Sequence, residues 1–127
     1  FLPVKCSGGE RQRAAIARAL AAGPSFLVCD EITSALDVSV QAAVLELLGE
    51  LRETGLGILL ITHNLGVVAA LADRMLVLDA GVVREEGATA AILAEPADPL
   101  TRLLIESAPR PLVAQADGEA PNGAHAR

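Results

Sequence analysis

The chain has 127 residues, a formal net charge of −6 and only two aromatic residues, Phe1 and Phe26. That length allows one small domain with a real core, while the acidic balance and the scarcity of rings exclude a nucleic-acid surface, which needs a basic patch or stacking platforms. Hydrophobic residues make up 52% of the chain, yet many are Ala and Leu, no apolar run approaches the roughly 20 residues that span a bilayer, and no basic segment leads a cleavable apolar one.

The chain opens at Phe1 in what reads as the middle of a loop, so a longer parent protein is expected. Cys6 and Cys29 stand far apart and in no metal-ligand spacing. They read as small apolar residues in a reducing compartment.

In the stretch Cys6-Ser7-Gly8-Gly9-Glu10-Arg11-Gln12-Arg13, two glycines open into an Ala-rich segment of high helix propensity. The spacing predicts a helix from Gly8 to Ala22, with Ala15, Ile16, Ala19 and Leu20 on one face. Ser7 and Glu10 fit a capping box, each side chain satisfying a backbone N–H of the first turn. Gly8 and Gly9 leave that turn without side-chain bulk, so its free N–H groups and the positive end of the helix dipole make a seat for a phosphate. Taken alone, these residues read first as an ordinary capped helix with glycines in the preceding turn. Gly23-Pro24 ends it.

Phe26 to Cys29 is a short continuous apolar run, which predicts a strand buried on both faces; it ends in the acids Asp30-Glu31. A polar turn from Thr33 to Asp37 follows, with Asp37 placed to cap the next helix. In that helix Val40, Val44, Leu47, Leu48 and Leu51 form an amphipathic stripe, and Gly55 closes it. Ile58 to Ile61 is a second buried strand, ending at Thr62-His63. Asn64 is placed to cap a short helix through Ala72 with Leu65, Val68 and Ala69 inward. Met75 to Leu78, a turn at Asp79-Ala80-Gly81 and Val82 to Glu85 predict a hairpin. Thr89 is expected to cap a helix to Ala94, and Pro96 and Pro99 frame a loop before a last helix, Leu100 to Ser107. From Ala108 the chain has no periodicity and is expected to be a disordered tail.

Strands alternating with helices indicate an α/β sheet, whose ligands gather at the carboxyl ends of the strands. Those ends carry Asp30-Glu31 and Thr62-His63. Adjacent residues leaving a strand point in different directions, so one carboxylate can hold Mg²⁺ and the other can orient or deprotonate an attacking water. His63 can donate a hydrogen bond to a phosphate oxygen. Each signal alone also fits a solvated strand end.

Together, in this order, the glycine-capped helix, the apolar strand ending in Asp30-Glu31, the Ser34-Ala35-Leu36-Asp37 turn and the strand ending in Thr62-His63 resemble the ATP-binding subunit of ABC transporters. The resemblance runs from Cys6 to about Pro109, and from Asp98 to Leu104 it is most similar to the oligopeptide/dipeptide (nickel) importer branch. It implies the C-terminal part of a P-loop NTPase nucleotide-binding domain: a sheet with flanking helices, incomplete without upstream sequence. Residues 1–23 would be the signature loop and helix, 24–95 the core strands and helices, 96–107 a C-terminal extension, and 108–127 a tail. The implied cofactors are ATP and Mg²⁺. By the resemblance Asp30 holds Mg²⁺, Glu31 polarises the attacking water and His63 contacts the γ-phosphate. Ser7, Gly8, Gly9 and Glu10 are the signature residues that meet an ATP seated on a second subunit, and Asp37 communicates across that dimer. The implied partners are that second ATPase subunit, transmembrane permease subunits and, indirectly, an extracytoplasmic solute-binding protein. The implied place is the cytoplasmic face of the membrane.

Some positions depart from the family. Cys6 stands where Leu is usual, Glu10 where Gln is usual, and Asn64 where Asp is common. Ile32 replaces the Pro that usually follows the acidic pair, a change expected to loosen the turn that positions Glu31. No G-x-x-x-x-G-K-[ST] phosphate loop occurs in the 127 residues. Neither an adenine-stacking aromatic nor a glutamine loop is recognisable. These are expected upstream. Because no Cys follows Cys29, no iron–sulfur cluster is expected. Two other readings stay open: an ABC-like ATPase of DNA repair or chromosome organisation, which would carry inserted coiled coils or zinc modules, and a truncated, non-catalytic piece.

Overall fold

The computed structural model describes residues 7–109. In chain order these form α1 (Gly8–Leu20), β1 (Phe26–Asp30), α2 (Val38–Glu53), β2 (Gly57–Ile61), α3 (Leu65–Leu71), β3 (Arg74–Asp79), β4 (Val82–Ala88), α4 (Thr89–Ala94) and α5 (Pro99–Ser107). Cys6 and the tail beyond Pro109 lie outside the described residues.

β1 and β2 pair in parallel, from Phe26 opposite Gly57 to Asp30 opposite Ile61. A parallel pair needs a crossover, and α2 supplies it. This register brings the carboxyl ends of both strands side by side, so whatever follows Asp30 lies next to whatever follows Ile61. β3 and β4 form the expected antiparallel hairpin, with a register shift between Val77 and Leu78. Its turn places Ala80 at φ 47° and Gly81 at φ 78°, the left-handed pair of a type I′ turn; Gly fits the second position and Ala tolerates the first at a steric cost.

The main core consists of Ile16, Leu27, Cys29, Val44 and Leu48, where α1 and α2 pack on one face of the β1–β2 pair. Val44 and Leu48, from the middle of the predicted stripe, are fully enclosed. Burial pushes the Cys29 thiol up, so it stays neutral and acts as a small apolar side chain. A second cluster, Met75, Val77 and Ile92, lies under the hairpin, with Leu65, Val68 and Leu93 against it.

Three expectations are corrected. β1 and β2 are buried on one face only: Leu27 and Cys29 are enclosed and Leu60 is half-buried, but Phe26, Val28, Leu59 and Ile61 are 45–58% exposed, because no described element packs on their side. In α3 the enclosed residue is Val67, and Ala69 is exposed; seven residues make too few turns for an apolar stripe to fix the phase. Thr89 does not cap α4. It is the first helical residue, after Ala88 at the N-cap with no side-chain cap, and its own N–H donates to the Asp73 carbonyl at 3.0 Å, which already satisfies one of the unpaired donors.

Among the described residues, β2 and β3 each pair on one edge only. Between them runs an open groove of about 1230 Å³, lined in part by Leu59, Ile61, Leu65, Leu76 and Leu78. Leu59, Ile61, Leu76 and Leu78 remain 45–61% exposed there.

α5 is tied back by carboxylates. Asp98 caps it by accepting from the Leu100 N–H at 2.8 Å, and Glu85 accepts from the N–H groups of Ala97 (2.9 Å) and Asp98 (3.2 Å). The Ala97 N–H is the main cause holding the Glu85 carboxyl below the usual range; the Val40 N–H, then the Ser39 hydroxyl, do the same for Asp37, the N-cap of α2. Both groups lose these donors on unfolding, so each binds its proton more tightly when unfolded. Their stabilisation is therefore complete at neutral pH and disappears as the pH falls through the carboxylate range, from about pH 4 downward. The urea midpoint of the chain is expected to fall between pH 7 and pH 3, and Glu85→Gln to flatten that fall. A Glu85→Gln profile parallel to the parent's would contradict this role.

Candidate functional site

Glu31 is the first residue past β1, and three contacts fix it. Its N–H continues the strand ladder to the Ile61 carbonyl at 2.8 Å, while its own carbonyl accepts from the Ser34 N–H (3.3 Å) and the Ser34 hydroxyl (3.0 Å). Its backbone has φ 50°, a left-handed conformation costing a non-glycine residue about 1–2 kcal/mol. The side chain is therefore turned by the chain's reversal and not by strand alternation. It meets His63, two residues beyond β2: Nδ1 of the ring lies 3.1 Å from both carboxylate oxygens of Glu31. As the donor in this contact, Nδ1 carries the proton, and Nε2 is left for a ligand.

The His63 side chain is 80% exposed and that of Glu31 40%. The pair thus presents a carboxylate and an imidazole nitrogen to one patch of solvent at the carboxyl end of the parallel strands. Asp30, at the end of β1, is exposed beside it. Among the described residues no group of three or more His, Cys, Asp or Glu converges on one point. A single hard oxygen ligand such as Asp30 suits Mg²⁺, which keeps several waters and takes its remaining ligands from phosphate.

At the start of α1 the capping box forms as the sequence predicts. The Ser7 N–H donates to Glu10 Oε2 at 2.7 Å, and the Glu10 N–H to Ser7 Oγ at 3.2 Å. The Glu10 carboxylate is thereby engaged within its own turn. The N–H groups of Gly8 and Gly9 have no intrahelical carbonyl to reach, so they are the anion-seeking donors of this end. Both glycines also serve the chain's own packing: a Cβ at Gly9 would overlap the Val40 side chain, and one at Gly8 would come to 3.4 Å from Leu36 Cδ2. Gly9 is buried for this reason, while Ser7 and Gly8 are exposed.

A shallow cleft of about 220 Å³ joins the two halves of the site, with Gly8, Arg11 and Gln12 on one wall and Glu31, Ile32, Ala35 and Leu36 on the other. Asp37 is exposed past Leu36, its Oδ1 held by the Ser39 hydroxyl (2.9 Å) and the Val40 N–H (3.0 Å). The structure so brings Glu31 and His63 into contact, places Gly8 across a cleft from Glu31, and leaves Asp37 at the turn's outer end. Sequence reasoning missed Gln12, whose side-chain amide donates to the Ile32 carbonyl. The available signal was its spacing: Gly8, Gln12 and Ile16 share one side of α1.

The sequence profile of the ABC transporter family matches residues 2–34. A Brucella abortus (strain 2308) protein described as a peptide import ATP-binding protein is 49% identical over 109 residues, covering 85% of this chain and 32% of that protein. The methionine import ATP-binding protein of Pseudomonas fluorescens is 48% identical over 105 residues, covering 82% of this chain and 31% of its own length. Among solved structures, an ATP-binding cassette in a dimeric post-hydrolysis state with ADP and Pi superimposes with a TM-score of 0.61 at 36% identity, over 68% of this chain and 38% of that one. The chain is a relative of the ABC transporter ATP-binding subunits. It shares part of the ABC cassette's α/β fold, and spans about a third of the length of the curated relatives it matches. In that setting, Ser7-Gly8-Gly9-Glu10 and Asp30-Glu31 fall inside the stretch that the ABC profile covers, whereas His63 reaches the site through the β1–β2 register.

Proposed function

We propose that this chain is the C-terminal part of the ATP-hydrolysing subunit of an ABC importer for peptides or a related small solute. The observation that carries the reading is the 3.1 Å contact between Glu31 and His63, facing solvent at the carboxyl ends of two parallel strands, where ligands of such sheets bind. In this reading the Glu31 carboxylate accepts the proton of the attacking water and holds its lone pair in line with the γ-phosphate. His63 gives its Nδ1–H to Glu31 and, to donate to a γ-phosphate oxygen as well, carries a second proton on Nε2. Asp30 holds Mg²⁺, which supplies charge neutralisation of the phosphates. The Gly8 and Gly9 N–H groups and the Ser7 hydroxyl meet the γ-phosphate of an ATP seated on a second subunit, so the working unit is a dimer, and Asp37 lies at the contact between subunits. Permease subunits and a solute-binding protein complete the importer, with this subunit on the cytoplasmic face of the membrane. No described helix is long and apolar enough to cross one.

The same reading assigns the groove between β2 and β3 to a further strand of the domain, one that carries the phosphate loop. Among the described residues, the two unpaired edges are what a further strand pairs with, and the four exposed Leu and Ile side chains are what helices on the second face of a parallel sheet cover. Without that loop the grip on the β- and γ-phosphates is missing. The 127-residue chain alone is expected to bind ATP more weakly than micromolar in a calorimetric titration; micromolar affinity would overturn this part of the reading.

The experiment is a chimera in which residues 1–109 replace the matching segment of the Brucella abortus relative. The reading predicts a folded protein with magnesium-dependent ATP hydrolysis. A chimera that folds and binds ATP but releases no phosphate would contradict it.

A further inference from the structure

Among the described residues, one hydrogen bond joins the turn that carries Glu31 to α1, beside the apolar packing of Ile32 and Leu36 on the cluster that includes Ile16. Gln12 reaches across the 220 Å³ cleft, and its Nε2 donates to the carbonyl of Ile32, the residue next to Glu31. Gln12 is partly buried, so the bond is sheltered from competing water. Glu31 itself keeps a left-handed backbone, a conformation that persists only where its surroundings enforce it. Its other restraints are its bond to the end of β2 and two bonds from Ser34 within the same turn. Among the described residues, the Gln12 bond is the one hydrogen bond that ties the turn to the helix whose first amides await an anion. Gly8 and Gln12 are one helical turn apart, and α1 packs through Gly9 on Val40. A small tilt of α1 at its amino end is therefore delivered to Ile32, and from there to the carboxylate beside His63.

We propose that Gln12 is a positioning residue: it transmits occupancy of the α1 amino end to the orientation of Glu31, so that hydrolysis is favoured when a phosphate is seated on the Gly8 and Gly9 amides. The proposal rests on the reading of Glu31 as the water-orienting carboxylate.

Gln12→Glu tests it, because Glu has nearly the same shape but, ionised, offers no donor to the Ile32 carbonyl. In the 127-residue chain, hydrogen exchange at the Ser34 and Leu36 amides is expected to speed up about tenfold, with the amides of the α2 interior unchanged. In the chimera, Gln12→Glu is expected to lower kcat about tenfold with KM for ATP unchanged. Acidification should restore part of that loss relative to the parent, because the introduced carboxyl, once protonated, can donate again. Unchanged exchange at Ser34 and Leu36 would overturn the linkage. Faster exchange with unchanged kcat would overturn the positioning role, as would a kcat deficit with no acid recovery. Should Glu31→Gln leave the chimera's turnover intact, the functional reading of Glu31 and the positioning role would fall together, and the exchange result alone would then decide whether Gln12 braces the turn.

Discussion

Glu31→Gln in the chimera is expected to lower ATP turnover at least about a hundredfold while ATP binding persists, the size of effect that follows loss of a positioned general base. The substitution separates charge from geometry. Gln keeps the length of the side chain, and its amide oxygen can still accept from the His63 Nδ1–H that now lies 3.1 Å from Glu31. The backbone bonds to Ile61 and Ser34 do not involve the side chain. What is lost is the negative charge that polarises water and takes its proton. Phosphate release and equilibrium ATP binding, measured on the same preparations, check the split. Turnover within a few-fold of the parent would remove Glu31 from the chemistry.

The second large effect concerns Gly9. Gly9→Ala places a methyl group inside the Val40 side chain, and Val in a helix has essentially one good rotamer, so it cannot swing aside freely. Overpacking of this kind costs about 1–3 kcal/mol, here by prying α1 from the start of α2. Urea unfolding of the 127-residue chain should show that loss. Adding Val40→Ala to Gly9→Ala should recover a substantial part of it, giving a coupling of about 0.5–3 kcal/mol between positions in contact. Additive effects would mean that the two residues do not meet as described.

Gly9 also shows where sequence reasoning stops. Two glycines at a helix start read naturally as room for a visiting phosphate, and nothing local discloses that α2 of the same chain occupies one side of that turn. The elements themselves were legible because their signals are local: the Ser7–Glu10 and Asp37 caps, the stripe centred on fully buried Val44 and Leu48, and the hairpin turn. The pairing of Glu31 with His63 depends on strand register, which the sequence implied only through the order of its elements. Phe26 and Val28 read as core because apolarity reports what a residue suits, not what covers it, and no described element does. Thr89 failed as a cap because Ala88 takes the N-cap position and Thr89, the first helical residue, gives its N–H to the Asp73 carbonyl between α3 and β3. Gln12 left only its helical spacing as a signal, since a polar residue in a helix does not name the distant carbonyl it will reach.

The most direct measurement is a crystal structure of the chimera, carrying Glu31→Gln to hold substrate, grown with ATP and Mg²⁺. The account predicts a dimer in which position 31 and His63 face the γ-phosphate of one nucleotide while the Gly8 and Gly9 amides of the same chain point at the nucleotide of the other subunit. A dimer with those amides turned away from any phosphate, or with His63 remote from the nucleotide, would contradict it.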